Sequence, residues 1–580
     1  MFYHKRKHEF KGRTIMISLI PAVKSIDIKE GRLIKNAVTF DENKYSARLT
    51  KALAKLPTAA DGVRLSVSYG VGKGEGYVLK INEDSVTINA GTEAGAFYAI
   101  QTLRQIFEND EIPCLEIHDK PDFEYRGFYH DVTRGKIATV ETIKGLIDMM
   151  AYYKMNALQL YVEHVFEFEE CRDLIEKTSY LTGAELRELD EYCKENFIDF
   201  QPSLSTFGHL FELVQQEKYQ HLRVLKDFKE DVCRWDDRMH HHTIDPSQEE
   251  SIELIKSLID QYAQNFTSDY FNICCDETFD LKNSFPSDVE GRLYIDFVKK
   301  LIAHVQSKGK TVMMWADILL QHPEYIDELP EDVCFLNWTY RADPQEESFK
   351  KLGDMGRRQI VCPGTTTWSR FCERVEREEP NITILADYGY KHGAVGMLNT
   401  NWGDWGNPAS LETSYYGMVL GAAKSWAIDT QVSEEFYADV NALLYKNENA
   451  MKYLRRMSDA HNEVRWNRVM RAAYNHRAGL EYPIPLTEEA VIDAQNAYRE
   501  LTAALNNDEW THGDFKEEML LAVEGICVLA ELGAKLSGYK VERITDTEAF
   551  LGRYREKWLQ KNKISELTRI EEIFRYADSI

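Results

Sequence analysis

The chain is 580 residues long, 44% hydrophobic and 12% aromatic, which excludes a disordered protein and leaves material for two to four domain cores. A formal net charge of −25 argues against nucleic acid or an anionic membrane as the main partner. Ten scattered cysteines form no CxxC pair and no Cys/His ligand spacing, and the neighbours Cys274 and Cys275 could bond only under strain, so all ten read as reduced thiols of a cytoplasmic protein.

The first residues, MFYHKRKHEFKGR, are basic, and MISLIPAV is too short for a signal core or a membrane span. Residues 1–15 therefore read as a basic extension, with Met16 as an alternative start. From 16 to 120, VRLSVSYG and GYVLKINEDSVTINAG alternate apolar and polar positions as strands do. TEAGAFYAIQTLRQIF predicts a helix with Ala96, Ala99, Leu103 and Ile106 on one face, and CLEIHDKP a closing strand, so the segment is a small α/β domain. GVGKGEG, residues 70–76, has no helix after it and reads as a hairpin turn in preference to a phosphate loop.

Between 121 and 425, eight apolar strands alternate with helical stretches: YRGFYHDV, NALQLYV, IDFQPSL, SDYFNICC, KTVMMWAD, DVCFLNW, RQIVCPG and GAVGMLNT. The helix over SQEESIELIKSLIDQYAQNF takes Asp245 or Ser247 as its cap. Strands apolar on both faces and alternating with helices predict a parallel sheet, and eight such units predict a (β/α)8 barrel; a doubly wound open sheet is the alternative. Residues 426–580 carry 3.6-period apolar faces and read as all-α, free to pack on the barrel, cover its mouth or join two chains as a homodimer.

In such a barrel, ligand chemistry gathers at the C-terminal ends of the strands. In strand order those positions hold Asp131 with Arg134; Glu163 and His164; His209; Asp276 and Glu277; Trp315 and Asp317; Trp338; Trp368 and Arg370; and Asn399, Asn401, Trp402 and Asp404. Singly, each has a plainer reading: a solvated Asp-Glu dipeptide, a packing tryptophan, an Arg134–Asp131 ion pair. Gathered at one rim they suit a sugar, whose CH face rests on indole and whose hydroxyls meet carboxylate, Arg and Asn. The two acids of strand four suit glycosidic cleavage, which needs a proton donor and an anionic stabiliser with separated pKa values. The run His240, His241, His242 lacks ligand geometry and reads as a loop in preference to a metal site.

With those residues in place, the chain resembles the glycoside hydrolase family 20 β-N-acetylhexosaminidases over about residues 16 to 405. LIPAVKSIDIKEG and TEAGAFYAIQTLRQI are similar to that family's N-terminal domain, YRGFYHDVTRG and IKGLIDMMAYYKMNALQLYV to the opening of its barrel, and FNICCDE to its strand-four signature. WAD, NW and NWGDW are similar to its later tryptophan motifs. The resemblance implies an exo-acting, retaining, cofactor-free enzyme in which the substrate's own 2-acetamido oxygen attacks C1. It casts Glu277 as general acid/base and Asp276 as the group that orients the acetamido N–H. It also casts Arg134, Glu163, His209, Trp315, Trp338, Trp402 and Asp404 as sugar-binding residues, with no metal.

The departures are specific. Asn272 stands where the signature has histidine, Cys274 and Cys275 where it has two glycines, and Asp404 where the family has glutamate. After strand seven, Trp368 and Arg370 stand where a tyrosine and an aspartate are expected, leaving Tyr340 as the candidate for the missing hydroxyl. These changes predict altered recognition at O4 and O6, toward galacto-configured, sulfated or otherwise substituted sugars. Two other functions stay open: a retaining glycosidase with a direct carboxylate nucleophile, and a non-catalytic N-acetylhexosamine-binding protein. The expected ligand is a small glycoside or oligosaccharide.

Overall fold

The computed structural model describes residues 7–10, 13–72, 74–174, 179–511 and 513–580. Within the N-terminal stretch read as a basic extension, residues 1–6 and 11–12 lie outside the described residues; Lys7–Phe10 pairs antiparallel with Arg13–Met16.

A six-stranded sheet follows, in the order Ser25–Arg32, Pro113–Asp119, Tyr77–Ile81, Ser85–Ala90, Val63–Tyr69, Val38–Thr39. Helix Glu93–Ile106, capped by Thr92 Oγ1 on the Gly95 N–H, is buried on almost every face, because one side meets the sheet and the other the barrel. The strands flanking 70–76 are not partners: Ser85–Ala90 lies between them, parallel to one and antiparallel to the other. The connection is therefore a crossover and not the hairpin its glycines suggest; Lys73 lies outside the described residues.

Eight parallel strands close into a barrel: Tyr125–Asp131, Ala157–Val162, Asp199–Leu204, Tyr270–Asn272, Thr311–Trp315, Cys334–Trp338, Gln359–Cys362 and Gly396–Asn401, the last pairing with the first. This is a TIM-type (β/α)8 architecture, and closure rules out the open-sheet alternative. Its interior is filled by Tyr129, Tyr161, Cys274, Met313, Trp315, Leu336, Ile360, Leu398 and neighbours, while the outward faces of the same strands pack on the surrounding helices. Helix Glu249–Ala263 is not capped by Asp245 or Ser247; Gln248 sits at the cap without a side-chain bond, and Asp245 Oδ1 is taken up by Ser247.

Strand four is the informative departure. Its apolar run continues through Cys275, but the regular strand ends at Asn272; Ile273 N–H and the Cys274 carbonyl still bond Met313 and Trp315 of strand five before Cys274 (φ +55°) and Cys275 (φ +67°) take the chain through the left-handed region. Side chains there cost roughly 1–2 kcal/mol each against glycine. Asn272 Oδ1 steadies the turn by accepting the Cys274 N–H at 2.9 Å, and Tyr294 donates to the Cys275 carbonyl at 2.8 Å.

The C-terminal region is helical, from Glu434–Val440 to Leu567–Ser579, and includes Trp466–Arg477 and Thr547–Lys561, which the apolar pattern alone did not separate. Between Glu434–Val440 and Ala450–Ala460 the helical path is broken by a wide π turn at Asn441–Tyr445 ending in Lys446 at φ +53°. These helices pack on the barrel: Trp466 Nε1 donates to the Trp405 carbonyl at 2.6 Å, and Trp235 Nε1 donates to Glu566 at 2.7 Å.

Candidate active site

The left-handed turn after strand four aims both acids the same way. Asp276 and Glu277 line a cavity of about 310 Å³ at the C-terminal mouth of the barrel, together with Arg134, His209, Trp315, Trp338, Tyr340, Trp368, Trp402 and Asp404. That volume sits at the small end of ligand clefts, about 300–1,000 Å³, and suits one sugar ring better than a stretch of polymer.

The aromatic wall is continuous. Trp315 and Trp402 approach at 5.8 Å, Trp338 stacks on Tyr340 at 5.1 Å, and Tyr340 meets Trp368 at 5.0 Å. Trp402 Nε1 donates to Tyr340 Oη at 2.6 Å, and the Thr400 hydroxyl is a second partner of the phenol.

Arg134 is the hub of the polar side. It donates from Nη1 to Asp404 at 3.0 Å, from Nε to Glu163 at 3.1 Å, from Nη2 to Tyr161 Oη at 3.2 Å, and to His209 Nδ1 at 3.0 Å. The Arg134–Asp131 ion pair does not form: Asp131 instead accepts the main-chain N–H groups of Thr133, Arg134 and Gly403 and so fixes where Arg134 starts. Glu163 lies beneath Arg134, off the cavity wall. It accepts from Tyr161 and Arg238 as well, and its carboxyl is held well below the usual range: burial opposes ionisation, but Arg238, His164 and Arg134 outweigh it.

His209 faces both acids, Nε2 lying 3.3 Å from Asp276 and 3.4 Å from Glu277. Burial and Arg134 disfavour its charge, yet Asp276 and Glu277 lift it to about 9. The Arg134 contact decides the tautomer: a charged ring would set N–H against N–H at Nδ1, so the geometry favours a single proton on Nε2. The main-chain N–H of His209 donates to His242 Nδ1 at 2.8 Å, and burial above all, with Arg134 adding to it, holds His242 well below the ordinary histidine value. His209, Asp276 and Glu277 also form the one group among the described residues whose ligand atoms lie within 4.8 Å of one another, the spacing a cation would need.

Asp317 accepts the Glu277 N–H at 3.1 Å; burial and then the Asp276 and Glu277 charges push it up to about 8. Asp276 Oδ1 is buried with no partner from the protein. Asp404 is raised by burial to about 6, with Asp131 and Glu277 adding to the rise and Arg134 opposing it.

Three expectations need correction. Glu163, expected to bind sugar, does not line the cavity, because Arg134, Tyr161 and Arg238 take up its carboxylate. Arg370 does not face the cavity; its guanidinium is buried and donates to the carbonyls of His461 at 2.8 Å and Ser458 at 3.0 Å in the helical region. Asn399 and Asn401 likewise turn outward, to Gly417 and to Thr365 and Thr367. Conversely, Met239, His240, Phe279, Arg377 and Trp405 line the cavity without having been picked out. Of these, His240 reads as loop in the sequence but ends helix Arg234–His240, and Trp405 is the second tryptophan of NWGDW, the one legible clue.

A barrel mouth that holds two adjacent acids over an indole-walled cavity has the chemistry to take a sugar ring, and it places the chain among barrel proteins of that design. Family models for glycosyl hydrolase family 20 match residues 16–120 (domain 2) and 123–427 (catalytic domain), and the chain belongs to this family. A beta-hexosaminidase of Porphyromonas gingivalis is 26% identical over 291 residues, 43% of this chain and 36% of that protein. An N,N'-diacetylchitobiase of Vibrio harveyi is 27% identical over 248 residues, 35% of this chain and 28% of that protein. The matches thus span about a third of these relatives' length. The crystal structure of Flavobacterium johnsoniae chitobiase superposes over 97% of this chain and 99% of that one, at a TM-score of 0.61 and 18% identity, so its fold includes a counterpart of the C-terminal helices.

Proposed function

We propose that the protein is an exo-acting, retaining β-N-acetylhexosaminidase that removes terminal β-linked GlcNAc or GalNAc by substrate-assisted catalysis. The observation that carries this reading is the placement of Asp276 and Glu277 side by side on one wall, both against His209 Nε2, in a cavity sized for one sugar. A two-carboxylate mechanism needs acids on opposite faces of the anomeric carbon. The other cavity acid, Asp404, is tied to Arg134 at 3.0 Å and is poorly disposed as a nucleophile.

The two acids then address different atoms of one substrate. Glu277, half-buried at the cavity wall, gives its proton to the glycosidic oxygen as the C1–O bond breaks, while the acetamido oxygen attacks C1. Asp276, with one oxygen lacking a protein partner, accepts the acetamido N–H and offsets the positive charge of the oxazolinium. Glu277, now ionised, takes a proton from the water that opens the ring at C1, so two inversions give retention. The intramolecular nucleophile gains from proximity. Tyr340, on the cavity wall beside Trp338 and Trp402, is the hydroxyl placed to meet the acetamido oxygen. Ten buried, unpaired cysteines are in keeping with a cytoplasmic enzyme acting on small glycosides; finding the native protein outside cells would overturn that placement.

Release of an aryl leaving group from β-GlcNAc, β-GalNAc and β-glucoside tests the reading. The expected result is turnover of the acetamido sugars only, falling about 10²–10⁴-fold in Glu277→Gln and strongly in Asp276→Asn. Turnover of the plain glucoside at a comparable rate would refute the acetamido mechanism.

A further inference from the structure

Resting on that reading, we infer that the rim of the cavity beside Trp368 is a subsite for an anionic group on the substrate, with Arg377 as its contact residue. Arg377 lines the cavity with Trp338, Tyr340 and Trp368 and donates from Nε to the Tyr340 carbonyl at 2.6 Å, which aims the rest of the guanidinium. The cavity's other arginine, Arg134, is saturated by Glu163, Asp404 and Tyr161. Among the described residues Arg377 is in no ion pair. Its planar fork therefore keeps donors for a bidentate anion such as sulfate, phosphate or carboxylate.

The surroundings make this rim positive in a chain whose formal charge is −25. Arg377 sits in the first turn of helix Val375–Lys391 and Arg374 at its cap, the end where the helix dipole already disfavours cations. Arg465 and Arg468 come from the helical region and have no carboxylate partner among the described residues. These side chains press on one another: after burial, Arg374 and Arg341 hold Arg377 below its ordinary value, and Arg468, Arg374 and Arg377 do the same to Arg465. Two of these arginines are already paired, Arg374 with Glu376 and Arg341 with Asp343, which leaves Arg377, Arg465 and Arg468 without a carboxylate among the described residues. Glu376 is taken by Arg374 and Ser458, while Glu378 and Glu373 are buried and driven toward the neutral form, Glu373 to about 8. A half-buried guanidinium without a carboxylate partner is costly to keep, and an anionic ligand at the cavity rim would supply one to Arg377.

The test compares matched aryl glycosides of the full chain: β-GlcNAc against its 6-sulfate, which puts the anion on the cleaved sugar, and β-GlcNAc linked to glucose against β-GlcNAc linked to a uronic acid, which puts it on the leaving sugar. The expected result is an anionic-to-neutral ratio in kcat/KM of about tenfold or more in one of the two pairs. That ratio should shrink with added salt, fall toward one in Arg377→Ala and be partly kept in Arg377→Lys. Ratios of one or less in both pairs, or a ratio unmoved in Arg377→Ala, would overturn the subsite. Plain β-GlcNAc turnover with no anionic preference refutes this inference and leaves the hexosaminidase reading standing. Binding of GlcNAc and GlcNAc 6-sulfate to Glu277→Gln, followed by calorimetry, reads the cleaved-sugar ratio without turnover and so separates the two if the wild type is inactive on every arm.

Discussion

Asp404 carries two opposing pH effects. Ionised, it holds Arg134 at 3.0 Å on the wall of the sugar cavity; as pH falls through about 6 it takes a proton and that pairing is lost. KM for an acetamido substrate is therefore expected to rise below about pH 6, with Asp404→Asn raising KM about tenfold at pH 7 and flattening this acid limb; an unchanged limb in the variant would assign it elsewhere. Stability runs the other way. The folded pKa lies above the ordinary value of 3.8, so the native state binds this proton more tightly. The stabilisation is full below about pH 4 and is lost as pH climbs through about 6. At the same scale, Cys274 and Cys275 show why FNICC misleads as a strand: its apolarity is real, but one thiol fills the barrel interior and the other the outer core, with the backbone left-handed between.

The strand Pro113–Asp119 ends on a carboxylate that joins two domains. Asp119 accepts from Tyr77 at 2.6 Å within the sheet, from Lys154 Nζ at 3.1 Å after the first barrel helix, and from Trp426 Nε1 at 3.0 Å on the last one. Burial lowers Lys154, and Asp119 is the charge that opposes this. Asp119→Ala leaves a buried ammonium uncompensated, and a loss of about 3–5 kcal/mol is expected by urea unfolding. A loss under 1 kcal/mol would mean that Lys154 relaxes to water and that this junction is not set by charge.

Across the whole molecule, the helical region is wired to the site. Glu566 accepts from Arg238 at 2.9 Å, Arg238 donates to Glu163 at 3.1 Å, and Glu163 holds Arg134 at 3.1 Å. Arg370, which strand order placed at the substrate, instead pins the strand-seven loop to His461 and Ser458. Glu566→Ala is expected to lower kcat/KM about 2–30-fold, the range of coupling through packed networks, with little change in Tm. Unaltered kinetics would show that Arg134 is positioned by the barrel alone.

The barrel was legible because its strands are apolar on both faces and alternate with helices, a pattern that burial between helices imposes and that survives in any one sequence. The Asp276–Glu277 pair and the four tryptophans were legible for a related reason: position at a strand's C-terminal end already fixes the mouth they occupy. Direction was not legible. Whether a loop side chain beyond a strand points inward, as Trp368 does, or outward, as Arg370 two residues later does, depends on partners 88 and 91 residues away in the chain. The same holds for Arg377, which reads as one more charge on a helix until Tyr340 and the arginines of the helical region are brought beside it. Periodicity and strand order are local properties and are written in the sequence; the pairing of charges is set by distance in space, which only the closed barrel and the helices packed against it decide.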